Sequence, residues 1–269
     1  MKIAGASAIV TGAAGGIGEA IAQRLLERGA SSVVLTDLDA DRLDVAAERL
    51  GGMYPDRVDH LAGDVTDEAH LRALTSRDVD LSFANAGVFG GFGLEAEEDA
   101  WAASWDVNVM AHVRAARLLV PRWVERAESG ERGGCFVSTA SAAGLLVQLG
   151  SATYTTSKHA ALGFSEWLAA TYGDRGVQVC CLCPMGVRTP MVEGGDTSEH
   201  PDARVSHAAV AGAGEMLDPL AVAGVVLDAV EEGRFLALPH PQVDDMQQGK
   251  AADRDRWLAG MQRLRRSVE

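Results

Sequence analysis

Hydrophobic and polar positions along the chain alternate between two rhythms. Short apolar runs at residues 6–10, 32–36, 57–62, 80–84, 135–139, 177–183 and 235–238 have the length and β-branched content of buried strands. Between them lie longer stretches whose apolar residues recur every three or four positions, at 19–28, from near Asp39, at 98–128, 157–172, 219–232 and 252–266. Strands and helices in strict alternation call for the α/β class, a single doubly wound domain with a seven-stranded parallel sheet covered on both faces and a site at its carboxyl edge. A chain of 269 residues with 47% hydrophobic content can build such a core as one unit over 1–269.

The first strand runs into Thr11-Gly12-Ala13-Ala14-Gly15-Gly16-Ile17-Gly18, and a helix follows. Strand, glycine turn and helix form a Rossmann-type dinucleotide site. Gly12 allows the tight turn, Gly16 and Gly18 let backbone approach the cofactor and pack against the sheet, and the helix N-terminus offers its free N–H groups to pyrophosphate. The second strand ends at Asp37, nineteen residues beyond Gly18, where a carboxylate suits ribose hydroxyls and repels a ribose phosphate. No arginine or lysine stands in the turn or in the two positions after Asp37, which favours NAD over NADP. Asp37 also suits the cap of the helix starting near Asp39.

Tyr154 and Lys158 stand four residues apart on one predicted helix, and therefore on one face of it. A phenol with an ordinary pKa of about 10 needs help to exchange a proton near neutrality, and a neighbouring ammonium is expected to lower it. Such a pair suits interconversion of an alcohol and a carbonyl.

These motifs together resemble the short-chain dehydrogenase/reductase family, over nearly the whole chain. Thr11, Gly12, Gly16 and Gly18 match its T-G-x-x-x-G-x-G pattern, Asp64 and Val65 its adenine contact, and Asn85, Ala86 and Gly87 its N-A-G element. Asn108, Ser141, Tyr154 and Lys158 match its catalytic set, and Pro184, Val187 and Thr189 its nicotinamide-side loop. The resemblance also implies cofactor contacts at Ala14, Ile17 and Leu38. It assigns Tyr154 as general base or acid, Ser141 as the hydrogen-bond partner of the substrate oxygen, Lys158 as ribose binder, and Asn108 as holder of a water on the proton path. Asn85 is read instead as an amide that stitches neighbouring loops together. The chain departs from the family pattern at Ala84, and at Pro184-Met185-Gly186, where Pro-Gly is usual.

The region 191–217 is expected to act as a substrate lid, by resemblance, and Met185, Met191, Val192, Met216, Leu145 and Leu146 suggest an apolar pocket with Gln148 as one polar contact. The resulting expectation is an NAD-dependent enzyme for a hydrophobic secondary alcohol or its ketone. An NAD(P)H-dependent carbonyl reductase and a non-catalytic dinucleotide sensor are the alternatives. A net charge of −14 speaks against a nucleic-acid or anionic-membrane partner. The absence of a signal core or a long apolar run makes the cytoplasm the expected location. Cys180, Cys181 and Cys183 alternate between sheet faces, so with Cys135 they read as core, and no metal is expected. The family implies a homotetramer or homodimer built on the helices at 98–128 and 157–172. The apolar stripe Trp257, Leu258, Met261 and Leu264 of the C-terminal helix needs a surface to pack on, for which another subunit is one reading.

Overall fold

The structure is a computed structural model, and it describes residues 1–193 and 200–268. Its elements run β1 Ser7–Thr11, α1 Gly16–Glu27, β2 Ser32–Thr36, α2 Ala40–Met53, β3 Val58–His60, α3 Glu68–Thr75, β4 Leu81–Ala84, α4 Glu98–Trp105, α5 Ala111–Glu128 and β5 Gly134–Thr139. They continue with α6 Ala142–Leu145, α7 Ala152–Tyr172, β6 Val177–Leu182, α8 Pro190–Glu193, α9 Pro201–Gly212, α10 Pro219–Glu232, β7 Leu236–Ala237, α11 Gln242–Ala252 and α12 Arg254–Val268.

All seven strands pair in parallel in the order β3-β2-β1-β4-β5-β6-β7. Side chains along a strand point alternately to the two faces, and this separates two cores. Ala8 and Val10 of β1 join Ile21 and Leu25 of α1 and Val226 and Leu227 of α10 in one. Ile9, between them, joins Leu119 and Trp123 of α5 and Leu168 of α7 in the other. The chain leaves β1 toward β2 on one side and resumes at β4 on the other, so a crevice opens at the carboxyl ends of β1 and β4.

The apolar run at 98–128 is not one uniform helix. A π-helical turn, Asp106–Met110, separates α4 from α5, and it carries Asn108. Helix α7 begins earlier than its apolar rhythm suggested, because the Ser151 side chain caps it by accepting from the Tyr154 N–H at 3.3 Å.

The stretch 191–217 contains α9, while 194–199 of it lie outside the described residues. Its two ends are held together where Val187 bridges Leu217, with Arg188 N donating to Leu217 O at 2.9 Å and Leu217 N to Gly186 O at 3.1 Å. Helix α12 packs on α9, and Trp257, Met261 and Leu264 face a cavity of this same chain. Part of the apolar stripe is thereby turned inward, while Leu258 and Leu264 remain 45% and 41% exposed.

Candidate active site

The glycine turn is fixed by what its glycines leave out. Gly12 and Gly16 have positive φ values of 67° and 57°, and a Cβ on Gly12 would stand 2.9 Å from the Ala86 Cα. A Cβ on Gly18 would stand 2.1 Å from the Gly12 carbonyl oxygen, so Gly18 serves packing behind the turn. Helix α1 begins at Gly15 with no side-chain cap, which leaves its first N–H groups facing the crevice. Thr11 and Asn85 lock the turn to β4. The Thr11 hydroxyl accepts from the N–H groups of Asn85 and Ala86 at 2.9 Å each, and Asn85 Nδ2 donates to Thr11 O at 3.1 Å. The Asn85 Oδ1 accepts from the Thr139 hydroxyl at 3.1 Å, so its amide does stitch three strand ends together.

Asp37 closes the far end of the crevice. Its carboxylate accepts from Ala14 N at 3.0 Å and from Asp39 N at 3.2 Å, so it braces the turn as well as lining the cleft. The helix cap itself is Asp39, which accepts from Arg42 N. Arg42 lines the crevice too, its Nη2 2.8 Å from where a Gly15 Cβ would be. The sequence reading passed over this cation because it sits five residues beyond Asp37. One turn into α2 brings it back toward the glycines.

Of the positions expected to touch a cofactor, Gly12, Ala14, Gly16, Ile17, Asp37, Asn85, Ala86, Gly87, Tyr154, Lys158, Pro184, Val187 and Thr189 all line one crevice of about 320 Å³. Leu38, Asp64 and Val65 do not line it. Leu38 is 74% exposed, Val65 is buried in the core beside α3, and the Asp64 carboxylate accepts from Thr66 N at 2.8 Å.

The crevice ends at a cluster of hydroxyl and amine groups. Ser141 caps the four-residue α6, accepting from Ala143 N at 3.1 Å, and its hydroxyl donates to Pro184 O at 3.4 Å; Ser141 and Tyr154 line the same end of the crevice. Lys158 is buried and its Nζ donates to Thr139 O at 2.9 Å, 5.5 Å from the Tyr154 ring centroid. Phe89 stacks edge-on against the same ring, with centroids 4.8 Å apart. Asn108 stands behind this group, fully buried. Its Oδ1 accepts from Val88 N at 2.9 Å and its Nδ2 donates to Val88 O and to the Ser157 hydroxyl, both at 3.0 Å. It reaches toward Lys158 past Gly87, where a Cβ would lie 3.2 Å from Asn108 Oδ1 and 3.4 Å from Lys158 Nζ.

The electrostatics differ from the sequence expectation in one respect. Burial pushes the Tyr154 phenol up, an effect that the neighbouring Ser141 hydroxyl only partly opposes. Burial also brings Lys158 down to about 8, so its charge is itself poised near neutrality and held by the Thr139 carbonyl. The four cysteines are all buried and free, with Cys181 Sγ 3.9 Å from Cys183 Sγ. No group of three or more His, Cys, Asp or Glu positioned to hold a metal occurs among the described residues.

A second cavity, of about 770 Å³, adjoins the first and shares Ser141, Tyr154, Met185, Met191 and Val192 with it. It is predominantly apolar, and Met185, Met191, Met216, Met246 and Met261 all line it. Leu146 lines it, whereas Leu145 packs below in a small core with Cys181 and Cys183. Gln148 faces it, but its Nε2 is held by Ser206, at 2.9 Å to the hydroxyl and 3.2 Å to the carbonyl. The Pro184-Met185-Gly186 departure has a local cause. Met185 N donates to Nδ1 of the buried His240 at 3.2 Å, and Gly186 makes room for the Met216 thioether, whose sulfur would be 2.4 Å from a Cβ there. The helix at 252–266 and its apolar stripe were legible in the sequence, whereas His240 and α11 were not, since nothing local to them signals a role beside Met185.

Fold and crevice together define an enzyme-like dinucleotide site, and comparison with known proteins places it. The family described as short chain dehydrogenase matches residues 6–199. The 1-deoxy-11-beta-hydroxypentalenate dehydrogenase of Streptomyces avermitilis is 39% identical over 203 residues, covering 72% of this chain and 73% of that protein. The 3beta-hydroxysteroid dehydrogenase 2 of Eggerthella lenta is 32% identical over 195 residues, covering 70% and 73%. Among solved structures, a short chain dehydrogenase/reductase from Burkholderia phymatum in complex with NAD superposes with a TM-score of 0.84 at 27% identity, covering 95% of this chain and 96% of that one. A short-chain dehydrogenase from Sphingobium yanoikuyae in complex with NADPH reaches 0.73 at 25% identity, covering 92% and 96%. The chain belongs to the short-chain dehydrogenase/reductase family and is an oxidoreductase of that family.

Proposed function

We propose that the protein is an NAD-dependent oxidoreductase that interconverts a hydrophobic secondary alcohol and its ketone, with Tyr154 as general acid/base. The observation that carries this reading is the junction of the two cavities at Ser141 and Tyr154, where a glycine-lined crevice of mixed polarity meets a larger, predominantly apolar chamber suited to a bulky carbinol. The cofactor's fit rests on the uncapped start of α1, on Gly12, Gly15 and Gly16 lining the crevice with backbone, and on the Asp37 carboxylate at its far end. Bound there, NAD supplies the hydride acceptor.

The chain's own groups supply the rest. The Ser141 hydroxyl holds the substrate oxygen in register with the phenol. Tyr154 takes the hydroxyl proton in oxidation and returns it in reduction. Lys158 places a positive charge beside the phenol when protonated and lies where ribose hydroxyls would reach it. Asn108 holds the loop at Val88 in place and borders Lys158, a position suited to passing a proton outward through water. The names of the two relatives, which act on a hydroxypentalenate and a hydroxysteroid, support a polycyclic alcohol as substrate. Oxidation is the expected direction, because cells keep NAD largely oxidised.

Asp37 favours NAD, and Arg42 at the same end of the crevice makes room for the reading in which NADP also serves, with carbonyl reduction as the physiological direction. The region 191–217 is proposed to close over the substrate as a lid, and α5 and α7 to form the contacts of a homotetramer or homodimer. A cytoplasmic location is part of the same proposal. Among the described residues, no helix is long and apolar enough to cross a membrane. The test is NAD and NADP reduction against a panel of secondary alcohols including hydroxysteroids, with Tyr154→Phe as control. Turnover should fall at least ~100-fold in the variant while NADH binding stays within a few-fold. Full activity in Tyr154→Phe overturns the assignment.

A further inference from the structure

Helix α11 ends at a lysine in an unusual position. Lys250 is only 7% exposed, and the contacts of its ammonium are two carbonyls, an imidazole and an indole. Its Nζ lies 2.6 Å from Leu145 O, 3.0 Å from Leu146 O and 3.4 Å from His159 Nε2, with the Trp257 ring centroid 5.0 Å away. Taking a cation out of water costs free energy that neutral acceptors offset only when each of its N–H groups is matched, and here all three have a partner. His159 completes the set in one tautomer. Its Nδ1 donates to Thr155 O at 2.9 Å, which leaves the Nε2 lone pair for the ammonium.

The partners belong to three separate parts of the site. Leu145 and Leu146 end α6, whose N-cap is Ser141, and Leu146 lines the apolar cavity. His159 follows Lys158 on α7. Trp257 begins the stripe of α12 that walls the cavity together with Met246, Met261 and Leu264. The family match ends at residue 199, so Lys250 and Trp257 come from a segment beyond it and meet Leu145, Leu146 and His159 within it.

We propose that Lys250 is a positioning residue whose ammonium latches α11 and α12 onto the α6 wall of the apolar cavity, so that the enzyme discriminates among alcohols by size. The proposal rests on the reading of that cavity as the substrate site. A small carbinol held at Ser141 and Tyr154 touches Phe89 and Met185 and does not reach α12. A polycyclic one extends to Trp257 and Met261 and needs α12 in place.

The test uses the full chain carrying Lys250→Met, which keeps the stem and removes the charge, and Lys250→Arg, which restores it. Steady-state NAD reduction is measured with cyclohexanol and with a hydroxysteroid, and backbone hydrogen exchange is followed over 254–268 and over 16–27. In Lys250→Met, KM for the steroid should rise about tenfold, the loss expected for hydrogen bonds from a charged donor, with its kcat and both cyclohexanol constants changed less than about twofold. Exchange over 254–268 should quicken by about the same factor while 16–27 is unchanged, and Lys250→Arg should recover most of both effects. Equal losses for the two alcohols, or unaltered exchange over 254–268, would overturn the latch. If the wild-type protein oxidises neither alcohol, the substrate reading fails and exchange alone decides whether the latch exists. If Lys250→Met does not fold, His159→Leu removes one of the three acceptors of the ammonium without touching the cavity lining. The same split between the two alcohols at a smaller factor then supports the latch, and no split overturns it.

Discussion

The crevice at the glycine turn and the cavity beneath α12 meet at Ser141, Tyr154, Met185, Met191 and Val192 and are otherwise built on opposite plans. The first is made of backbone brought so close that only glycine fits, braced by buried hydroxyls and amides such as Thr11, Asn85 and Thr139. The second is lined by five methionines and a tryptophan drawn from α8, α11, α12 and the loops at Met185 and Met216. Polar, tightly specified packing holds a ligand of fixed shape, whereas unbranched thioether side chains adapt to what they enclose. The difference predicts that the crevice breaks under small changes and that the cavity bends.

The largest effect should come from adding one methyl group to each side. In Gly18→Ala the new Cβ meets the Gly12 carbonyl oxygen at 2.1 Å, backbone against backbone, with no side chain able to move away. A cost of about 3 kcal/mol or more is expected, with the melting temperature lowered and NADH affinity largely lost. In Gly186→Ala the clash, 2.4 Å, is with the end of the Met216 side chain, which can rotate. That variant should cost about 1 kcal/mol and keep NADH binding. Calorimetry and a fluorescence titration of both variants check the contrast, and equal losses would remove the distinction between rigid and pliable walls.

The same contrast explains what was legible in the sequence. The glycine turn, Asp37, Ser141, Tyr154 and Lys158 are read from spacing because the crevice needs particular residue types at fixed intervals. All seven strands fall within about two residues of their expected ends, and the two edge strands are the shortest, β3 with three residues and β7 with two, where only one neighbour supports each. Helix α10 spans the expected 219–232, because Pro219 follows the capping Asp218 and Gly233 takes a left-handed φ of 74° after it. The rest was hidden for physical reasons. Arg42 acts through one turn of helix, while His240 and Lys250 act across 55 and about 105 residues of chain, and no local rhythm encodes a contact of that range. The π-helical turn at Asn108 was equally invisible, since it alters hydrogen bonding without altering the apolar pattern.

A buried histidine gives the next largest effect, on the polar side. His112 of α5 holds the Ser138 hydroxyl at 2.8 Å and is 1% exposed, and burial brings its pKa down to about 3. The unfolded chain takes up this proton below about pH 6.5 and the native state does not until far lower, so stability falls as pH falls across that window. Between pH 7 and 4.5 the loss from this group should be about 3 kcal/mol. Urea unfolding at both values, in wild type and in His112→Gln, isolates it, and an unchanged pH slope in the variant would contradict the assignment.

Charge at the ribose end should show a smaller effect, confined to cofactor choice. Removing the carboxylate in Asp37→Ala should raise kcat/KM for NADP relative to NAD about tenfold, because a ribose phosphate no longer meets a like charge. Since Asp37 also accepts from Ala14 N, some loss with both cofactors is expected as well. Arg42→Ala should move the ratio the other way by a few-fold if its guanidinium, beside Gly15, receives that phosphate. A ratio unmoved by either change would place the selection elsewhere in the crevice.

The smallest effect is expected where the walls are softest. Met261 lines the apolar cavity from α12 and is only partly buried, so truncation in Met261→Ala leaves a hole that neighbouring thioethers can partly fill. Stability should change by less than about 1 kcal/mol, well under the value for a closed core. Substrate preference should shift toward larger rings, with KM for a hydroxysteroid changed two- to fourfold and kcat for cyclohexanol unaltered, since the small alcohol sits against Phe89 and Ser141. Cofactor affinity should not change at all, because Met261 lies outside the crevice. A tenfold loss of NADH binding in Met261→Ala would mean that the two chambers form one rigid unit, and the division between a specified cofactor site and an adaptable substrate site would fail with it.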